Sequence, residues 1–423
     1  MSVSYYSKIS ILFLLFIVNS FTLKADIINS VSFEGLTKTK EDFLNQLINC
    51  KQGVQFDTLI IKEDEQVLKN LNLFFSVNSK YSFDTLQNGY NITFIIKEAN
   101  YIYPIVAVEG FDTQLKLQIG LNNLNWRGRR NTIGFVYQYY DRHSLSLYQK
   151  APRHKNGKTG HELSLSKYST VEPLYFDDII SNFNFDNYSV SALGKYWLNS
   201  KINIDFGGML MYEKYEQQDD ALDLPMKSFD FLKYQLKSSI TFNYVNQHYE
   251  FFDGVKLKIY TETIQTKDYP MASFFKVNTQ AKYFKNFCNG GNLAVNYKFG
   301  IATNNDSPFS PFVLDGFLNI RGIGNRVSRG TAENILNIEY RHTVLNKKHF
   351  TLQAVAFTDI GSLRQAGEKI STLFNQSEMN YFSGVGFRIH SKFFYKAIFR
   401  IDYSVNLTDI NHGGFSFGLG HFF

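Results

Sequence analysis

Large and small side chains alternate with a period of two along most of this chain, most clearly from Phe415 to Phe423. There Phe415, Phe417, Leu419, His421 and Phe423 share one face, and Ser416, Gly418, Gly420 and, as the one large exception, Phe422 share the other. Such alternation predicts a strand with a greasy face and a slim face. Gly414, Gly418 and Gly420 either leave that strand little to interlock with a neighbour or only give room on its slim face. From about residue 113 onward, similar stretches are separated by polar breaks of two kinds. Short breaks fall near 141–144, 199–200, 246–250, 288–292, 346–349 and 391–392. Longer ones fall at 150–160, 215–228, 304–319 and 361–380, with smaller breaks near Arg127, Lys267 and Asn411 on the same side. This count gives about sixteen strands, provided one is placed across 169–184, where the pattern is weakest.

Charge respects the alternation. In 350–359, Phe350, Leu352, Ala354 and Ala356 oppose Gln353, Val355, Phe357 and Asp359. In 385–390, Val385, Phe387 and Ile389 oppose Gly386, Arg388 and His390. In 397–404, Phe399, Ile401 and Tyr403 oppose Arg400, Asp402 and Ser404. Glu339 and Arg341 sit on the same parity of the stretch 334–343. A polar interior and an oily exterior explain this, because a charge facing lipid at mid-depth costs about 2–4 kcal/mol.

Residues 27–98 follow another rhythm. A strand over 27–33 is followed by a helix over 40–49, with Thr39 as cap, Asp42 at the third position and Phe43, Leu44, Leu47 and Ile48 as its apolar stripe. A second helix starts near Asp57 and carries Leu59, Ile60, Val67, Leu68 and Leu71. Strands over 74–83 and 90–97 close the unit around a turn at Asn88-Gly89.

Composition sharpens the picture. Of 423 residues, 17% are aromatic, including 41 Phe and 27 Tyr, more than a soluble core needs and in keeping with aromatic girdles at two lipid–water interfaces. No apolar run beyond the N-terminus reaches the roughly 18 residues of a spanning helix. A membrane protein without such helices must be a closed barrel, since lipid satisfies no open backbone group. At the N-terminus, Lys8, the apolar stretch 11–18 and Leu23-Lys24-Ala25 read as a signal peptide over 1–25. The net charge of +6 fits solubility and a charged interior, and no basic cluster coincides with a nucleic-acid motif. The spacing of Cys50 and Cys288 leaves open whether they ever pair.

Enzyme signatures are missing. Gly157-Lys158-Thr159 lacks the first glycine of a phosphate loop, where Pro152 stands, and an extracellular loop is its expected place. The nine histidines are scattered, with no His-Glu-x-x-His and no Gly-x-Ser-x-Gly. Neither a metal, a cofactor nor a covalent mechanism is expected.

Two sets of residues carry a resemblance. Val31-Ser32-Phe33-Glu34-Gly35, Gly53-Val54-Gln55-Phe56-Asp57, 71–77 and 94–98 resemble the polypeptide-transport-associated (POTRA) domain. Ile320-Arg321-Gly322-Ile323 resembles the Val-Arg-Gly-Phe/Tyr signature of the BamA/TamA-type barrel superfamily, with Ile323 in place of the aromatic. Asn125-Trp126-Arg127-Gly128-Arg129-Arg130 is similar to the turn that follows that superfamily's first strand, though Arg130 replaces a glycine. The resemblance implies a signal peptide, a POTRA domain over 26–99, a linker over 100–112 and a transmembrane β-barrel over 113–423. It implies that the loop at about 302–331 folds into the lumen, where Arg321 meets Asp359 of Phe357-Thr358-Asp359-Ile360-Gly361. Glu339, Arg341, Arg388, Arg400 and Asp402 are expected to line the lumen beside it. The first strand (113–122) and the last (414–423) would close the barrel along a weak seam.

The resemblance further implies a bacterial outer-membrane protein with its POTRA domain in the periplasm. It would insert barrel proteins or translocate polypeptides, with unfolded outer-membrane or secreted chains and outer-membrane lipids as partners. Accessory lipoproteins stay open, as do client identity and essentiality. Two rival readings remain: a two-partner-type secretion pore, which normally carries a helical plug and two periplasmic domains, and a passive or structural barrel that no longer handles clients.

Overall fold

The computed structural model describes residues 26–109, 115–176, 179–218, 226–248, 250–267, 272–304, 309–324, 328–392 and 397–423. The expected signal peptide lies outside them. The N-terminal unit runs β1 (Ile27–Glu34), α1 (Glu41–Asn45), α2 (Thr58–Lys69), β2 (Phe74–Asp84) and β3 (Gly89–Glu98). Its sheet has the order β1-β3-β2, with β1 parallel and β2 antiparallel to the central β3. The helices cover a core of Ile28, Phe43, Leu44, Ile61, Leu68, Ile92 and Phe94, all at most 1% exposed. Asp57 caps α2 by accepting from the Leu59 N–H at 2.7 Å. The fully buried Asp64 accepts from the N–H groups of Asn49 and Cys50 and so ends the α1 segment. Both cysteines are free, and burial first, then Asp64, pushes the Cys50 thiol up to about 12, which keeps it unreactive.

The first helix departs from expectation. It is one short turn, its cap position is Lys40, and no side chain caps it. Thr39 is instead buried between Tyr101 Oη (3.0 Å) and Asn125 Nδ2 (2.9 Å), and Asp42 pairs with Arg129. The residues that read as a capping box therefore form a joint with the second domain, which sequence periodicity has no means of seeing. The same joint includes the Lys40 N–H on Gly128 O at 2.9 Å and, further round, Asn70 on Asn246 and the Gln247 N–H on Asn70.

Glu98 fastens this joint from inside the N-terminal unit. It accepts from Thr37 Oγ1, from the Lys38 N–H (2.9 Å) and from the Thr39 N–H (2.8 Å). Burial raises its pKa, but those hydrogen bonds outweigh burial and hold it at about 2. A folded-state pKa below the unfolded value contributes stability at neutral pH that is lost as pH falls. Protection of the Lys38 and Thr39 amides from hydrogen exchange, corrected for intrinsic rates, should therefore fall between about pH 4.5 and pH 2. Glu98→Gln should abolish that pH dependence; an unchanged profile would dissociate Glu98 from the joint.

The second domain is a closed barrel of sixteen spanning strands. They are β4 (Ile102–Glu109), β5 (Lys116–Trp126), β6 (Asn131–Tyr140), β7 (Arg142–Ala151), β8 (Thr159–Phe176), β9 (Ile179–Trp197), β10 (Ile202–Gln217) and β11 (Ser228–Asn243). After the short β12 (Asn246–His248) come β13 (Phe251–Thr266), β14 (Phe274–Asn286) and β15 (Gly291–Ala302). A small hairpin, β16 (Phe312–Leu314) and β17 (Ser328–Gly330), precedes β18 (Ala332–Asn346), β19 (Phe350–Arg364), β20 (Asn380–Ser391), β21 (Ile398–Asn406) and β22 (Gly413–Leu419). Leu165, Val190, Phe206, Leu236, Val385, Phe399 and Phe415 are each more than half exposed on the outside. Arg321, Glu339, Arg341, Asp359 and Arg388 inside are 0% exposed. Oil outside and charge inside is the inverse of a water-soluble fold and defines a membrane barrel.

Two expectations need correction. The segment expected as a linker holds the first barrel strand, β4, which pairs with both β5 and β22. The strand placed across 169–184 is not found as a separate element among the described residues; 169–176 and 179–184 are the ends of β8 and β9, paired as far as Phe176↔Ile179. The total of sixteen survived because one omission balanced one insertion. Between them the polarity of the loops was inverted: the turns at 127–130 and 152–158 lie on the side of the N-terminal domain, and the break at 141 lies on the far side. Gly157-Lys158-Thr159 is accordingly on the near side, with Gly157 next to Gln46.

Candidate functional site: the lumen loop and the seam

The described residues of the segment between β15 and β18, 309–324 and 328–331, enter the lumen. Its tip is shaped by its own polar side chains: the Asp315 N–H donates to Asn319 Oδ1 at 2.9 Å, and the Phe317 N–H donates to Asp315 Oδ1 at 2.8 Å. Asn319 Nδ2 then holds Val313 O at 2.8 Å. This turn presents Ile320-Arg321-Gly322-Ile323 to the wall formed by β18–β21.

Each motif residue has a distinct contact. Ile320, fully buried, packs with Ile335, Leu363 and Phe382, and Ile323 packs against the same cluster. Arg321 donates from Nε (2.8 Å) and Nη2 (2.9 Å) to the two oxygens of Asp359, a bidentate fork, and its backbone N–H adds a third bond at 3.1 Å. Gly322 has φ +81°, and a Cβ there would lie 2.2 Å from Ser404 Oγ. That hydroxyl donates to Arg321 O at 2.7 Å. On β19, Phe357 lies 3.5 Å from the Arg321 guanidinium carbon, and Gly361 leaves room for the Ile320 side chain. Phe357, Asp359 and Gly361 thus serve one ligand, the loop, from one face of one strand.

The charges around Arg321 form a closed network. Arg321 Nη1 reaches Glu339 Oε2 at 2.6 Å and Asp402 at 3.5 Å. Arg341 Nε donates to Glu339 Oε1 at 2.6 Å, and Arg388 bridges Glu339 (3.0 Å) and Asp402 (2.6 Å). Arg400 lies 3.6 Å from Asp402, and Gly418 provides the space for its guanidinium. The structure thus brings together all of the lumen residues singled out from the sequence.

Other anchors were missed. Lys116 on β5 pairs with Asp315 at 3.3 Å, both side chains being buried. Arg329 binds Glu172 on β8 and Ser310 O. Phe309 sits edge-on among Tyr215, Phe229 and Phe231, with ring centroids at 5.5–5.8 Å. The loop is therefore fixed to opposite walls and crosses the bore. Lys116 and Glu172 could have been suspected as charged positions in alternating stretches; nothing in sequence ties Phe309 to its cage.

The seam is short. Ser416↔Glu109, Phe417↔Val108 and Gly418↔Ala107 are its three paired positions among the described residues, against seven for β21–β22 and eight for β4–β5. Gly414 lies beside Gly322 of the loop. Phe415 and Phe417 face outward as expected. Phe423 does not: β22 ends at Leu419, Gly420 takes φ +92°, and the chain turns into the lumen, where Phe422 lies over Arg321 and Phe423 lies 5.9 Å from the Arg341 guanidinium carbon. The buried arginines attract these rings more than continued alternation would.

A POTRA-type domain followed by a sixteen-stranded transmembrane barrel with a pinned lumen loop is what this geometry defines. Comparison with known proteins agrees. Residues 27–99 match the POTRA family, described as surface antigen variable number repeat. The fold resembles CdiB from Escherichia coli (TM-score 0.63, 11% identity, covering 93% of this chain and 76% of that one). It also resembles CdiB from Acinetobacter baumannii (0.59, 11%, 93% and 74%) and BamA from Haemophilus ducreyi lacking POTRA domains 1-3 (0.56, 12%, 93% and 84%). No curated protein matches by sequence. The chain has the fold of the BamA/TamA-type superfamily.

Proposed function

We propose that this protein assists insertion of β-barrel proteins into, or translocation of polypeptides across, the bacterial outer membrane, with its POTRA domain in the periplasm. The seam between β4 and β22, paired at three positions among the described residues, carries the reading. Every other spanning junction is paired over at least seven positions, so the barrel would part first here. An unfolded client adds a strand by backbone hydrogen bonds, with little demand on sequence. The POTRA sheet offers an outer edge in β2, and the parted seam offers another within the membrane. Arg321 pinned by Asp359 holds the loop in the bore, so the seam opens toward lipid without leaving an open channel. This reading involves no catalytic step.

The likeness to CdiB keeps translocation beside insertion in this proposal. A passive pore fits less well, because the loop is fixed to both walls. The test is a disulfide across the seam between Val108→Cys and Phe417→Cys, which are register partners. Locking it should stop client assembly in cells depleted of the native protein, and reduction should restore it. Undiminished assembly by the locked protein would exclude a lateral seam.

A further inference from the structure

We infer that Phe422 is a positioning residue that couples the lumen loop to the seam, so that the two move as one unit. This goes beyond the proposed function, because it concerns the barrel alone and is read without a client.

The backbone leaves β22 at Gly420, whose positive φ suits glycine, while the Gly420 N–H still donates to Ile398 O on β21 at 2.8 Å. The chain is thus bent inward yet tied to the wall. The bend sets the Phe422 ring 4.4 Å from the guanidinium carbon of Arg321 and 5.1 Å from that of Arg400. Arg321 is therefore contacted by a ring from β19, Phe357, and by a ring from the segment that follows the seam strand. The last residue of the loop motif, Ile323, packs instead against the apolar cluster of Ile320, Leu363 and Phe382. Phe422 fills the role from elsewhere in the chain.

The consequence is mechanical coupling in both directions. Among the described residues three pairs hold β22 to β4, whereas Ser404 on Arg321 O, Gly414 against Gly322 and Phe422 over Arg321 bind the last two strands to the loop. A loop that leaves must shed the Phe422 ring, and a β22 that peels away must carry the ring off Arg321. A guanidinium in a desolvated site gains most from such a ring, so loss of the ring should be felt at both ends.

The test is hydrogen exchange of the full chain in detergent, followed in segments 315–323 (loop) and 413–419 (seam strand), with 159–176 as a remote control. Phe422→Leu, which keeps apolar bulk and removes the ring, should raise exchange in both segments about tenfold, equivalent to about 1.4 kcal/mol. Phe422→Tyr should restore both, and the control should not move. Increased exchange in one segment only, or in neither, would overturn the coupling. Arg321→Met supplies an independent arm: with nothing for the ring to hold, the seam strand should exchange faster, and adding Phe422→Leu should produce no further increase. A seam indifferent to Arg321→Met would refute the inference even if the Phe422→Leu protein failed to fold.

Discussion

Replacing Glu339 with Gln should strongly destabilise the barrel. Its carboxylate is shared by Arg321, Arg341 and Arg388, and all these groups are fully buried. Four arginines (321, 341, 388, 400) face three carboxylates (339, 359, 402) in this network, an excess of one positive charge. Glu339→Gln raises the excess to two and removes the carboxylate that pairs with Arg341, whose Nη1 and Nη2 already have no hydrogen-bond partner. Removing one side of a buried ion pair typically costs 3–5 kcal/mol, because the other charge is left without compensation. The unfolding midpoint in detergent, read from the mobility difference between folded and unfolded barrel, should drop accordingly. A second change, Arg341→Gln, should recover part of that loss, since it removes the charge stranded by the first. Strictly additive losses would mean that the two do not communicate through this pair.

Arg321→Ala should release the loop. The substitution removes a bidentate bond to Asp359, a bond to Glu339 and the guanidinium between Phe357 and Phe422. The expected cost is again about 3–5 kcal/mol, concentrated on the segment 315–323 rather than spread over the barrel. In planar bilayers the wild type should show low, flickering conductance, and the variant should spend long periods in a wide open state. Arg321→Lys should fall between them, because an ammonium lacks the planar fork that engages both oxygens of Asp359. If Arg321→Ala conducts as the wild type does, the anchors at Lys116, Arg329 and Phe309 suffice to hold the loop.

The parts of this structure legible in sequence were those governed by local rules. Period-two alternation revealed which face of β19, β20 and β21 is wet, because a charge on the lipid side is prohibitive. The motif around Arg321 and the one around Asp359 stood out through their resemblance to the signatures of the BamA/TamA-type superfamily, and in the structure each of their residues has a separate contact. β4 was invisible for a physical reason. It follows β3 after only residues 99–101, and its sequence Ile-Tyr-Pro-Ile-Val-Ala-Val-Glu contains Pro104, which argues against a strand between two neighbours. Pro104 is tolerated because β22 pairs only with Ala107, Val108 and Glu109, so residue 104 faces no partner on that side. At 169–184 the failure was of another kind. Leu174, Phe183 and Phe185 are buried in an aromatic cluster inside the barrel, so an oily residue there no longer marks the outside. The short α1 answers to contacts with the second domain, and the inward turn at Gly420 to lumen arginines distant in sequence, which no local pattern encodes.

The brevity of the connection between the two domains has a consequence of its own. Three residues, 99–101, join β3 to β4, a reach of about 10 Å when fully extended. Tyr101 within this span is tied to Thr39, and its carbonyl accepts from the Leu124 N–H at 2.8 Å. No slack is available to absorb a rotation of the N-terminal domain. A load applied to its sheet would arrive as tension on Ile102, the first residue of the strand that forms one side of the sparsely paired seam, much as a pull on a short cord reaches the knot at its end.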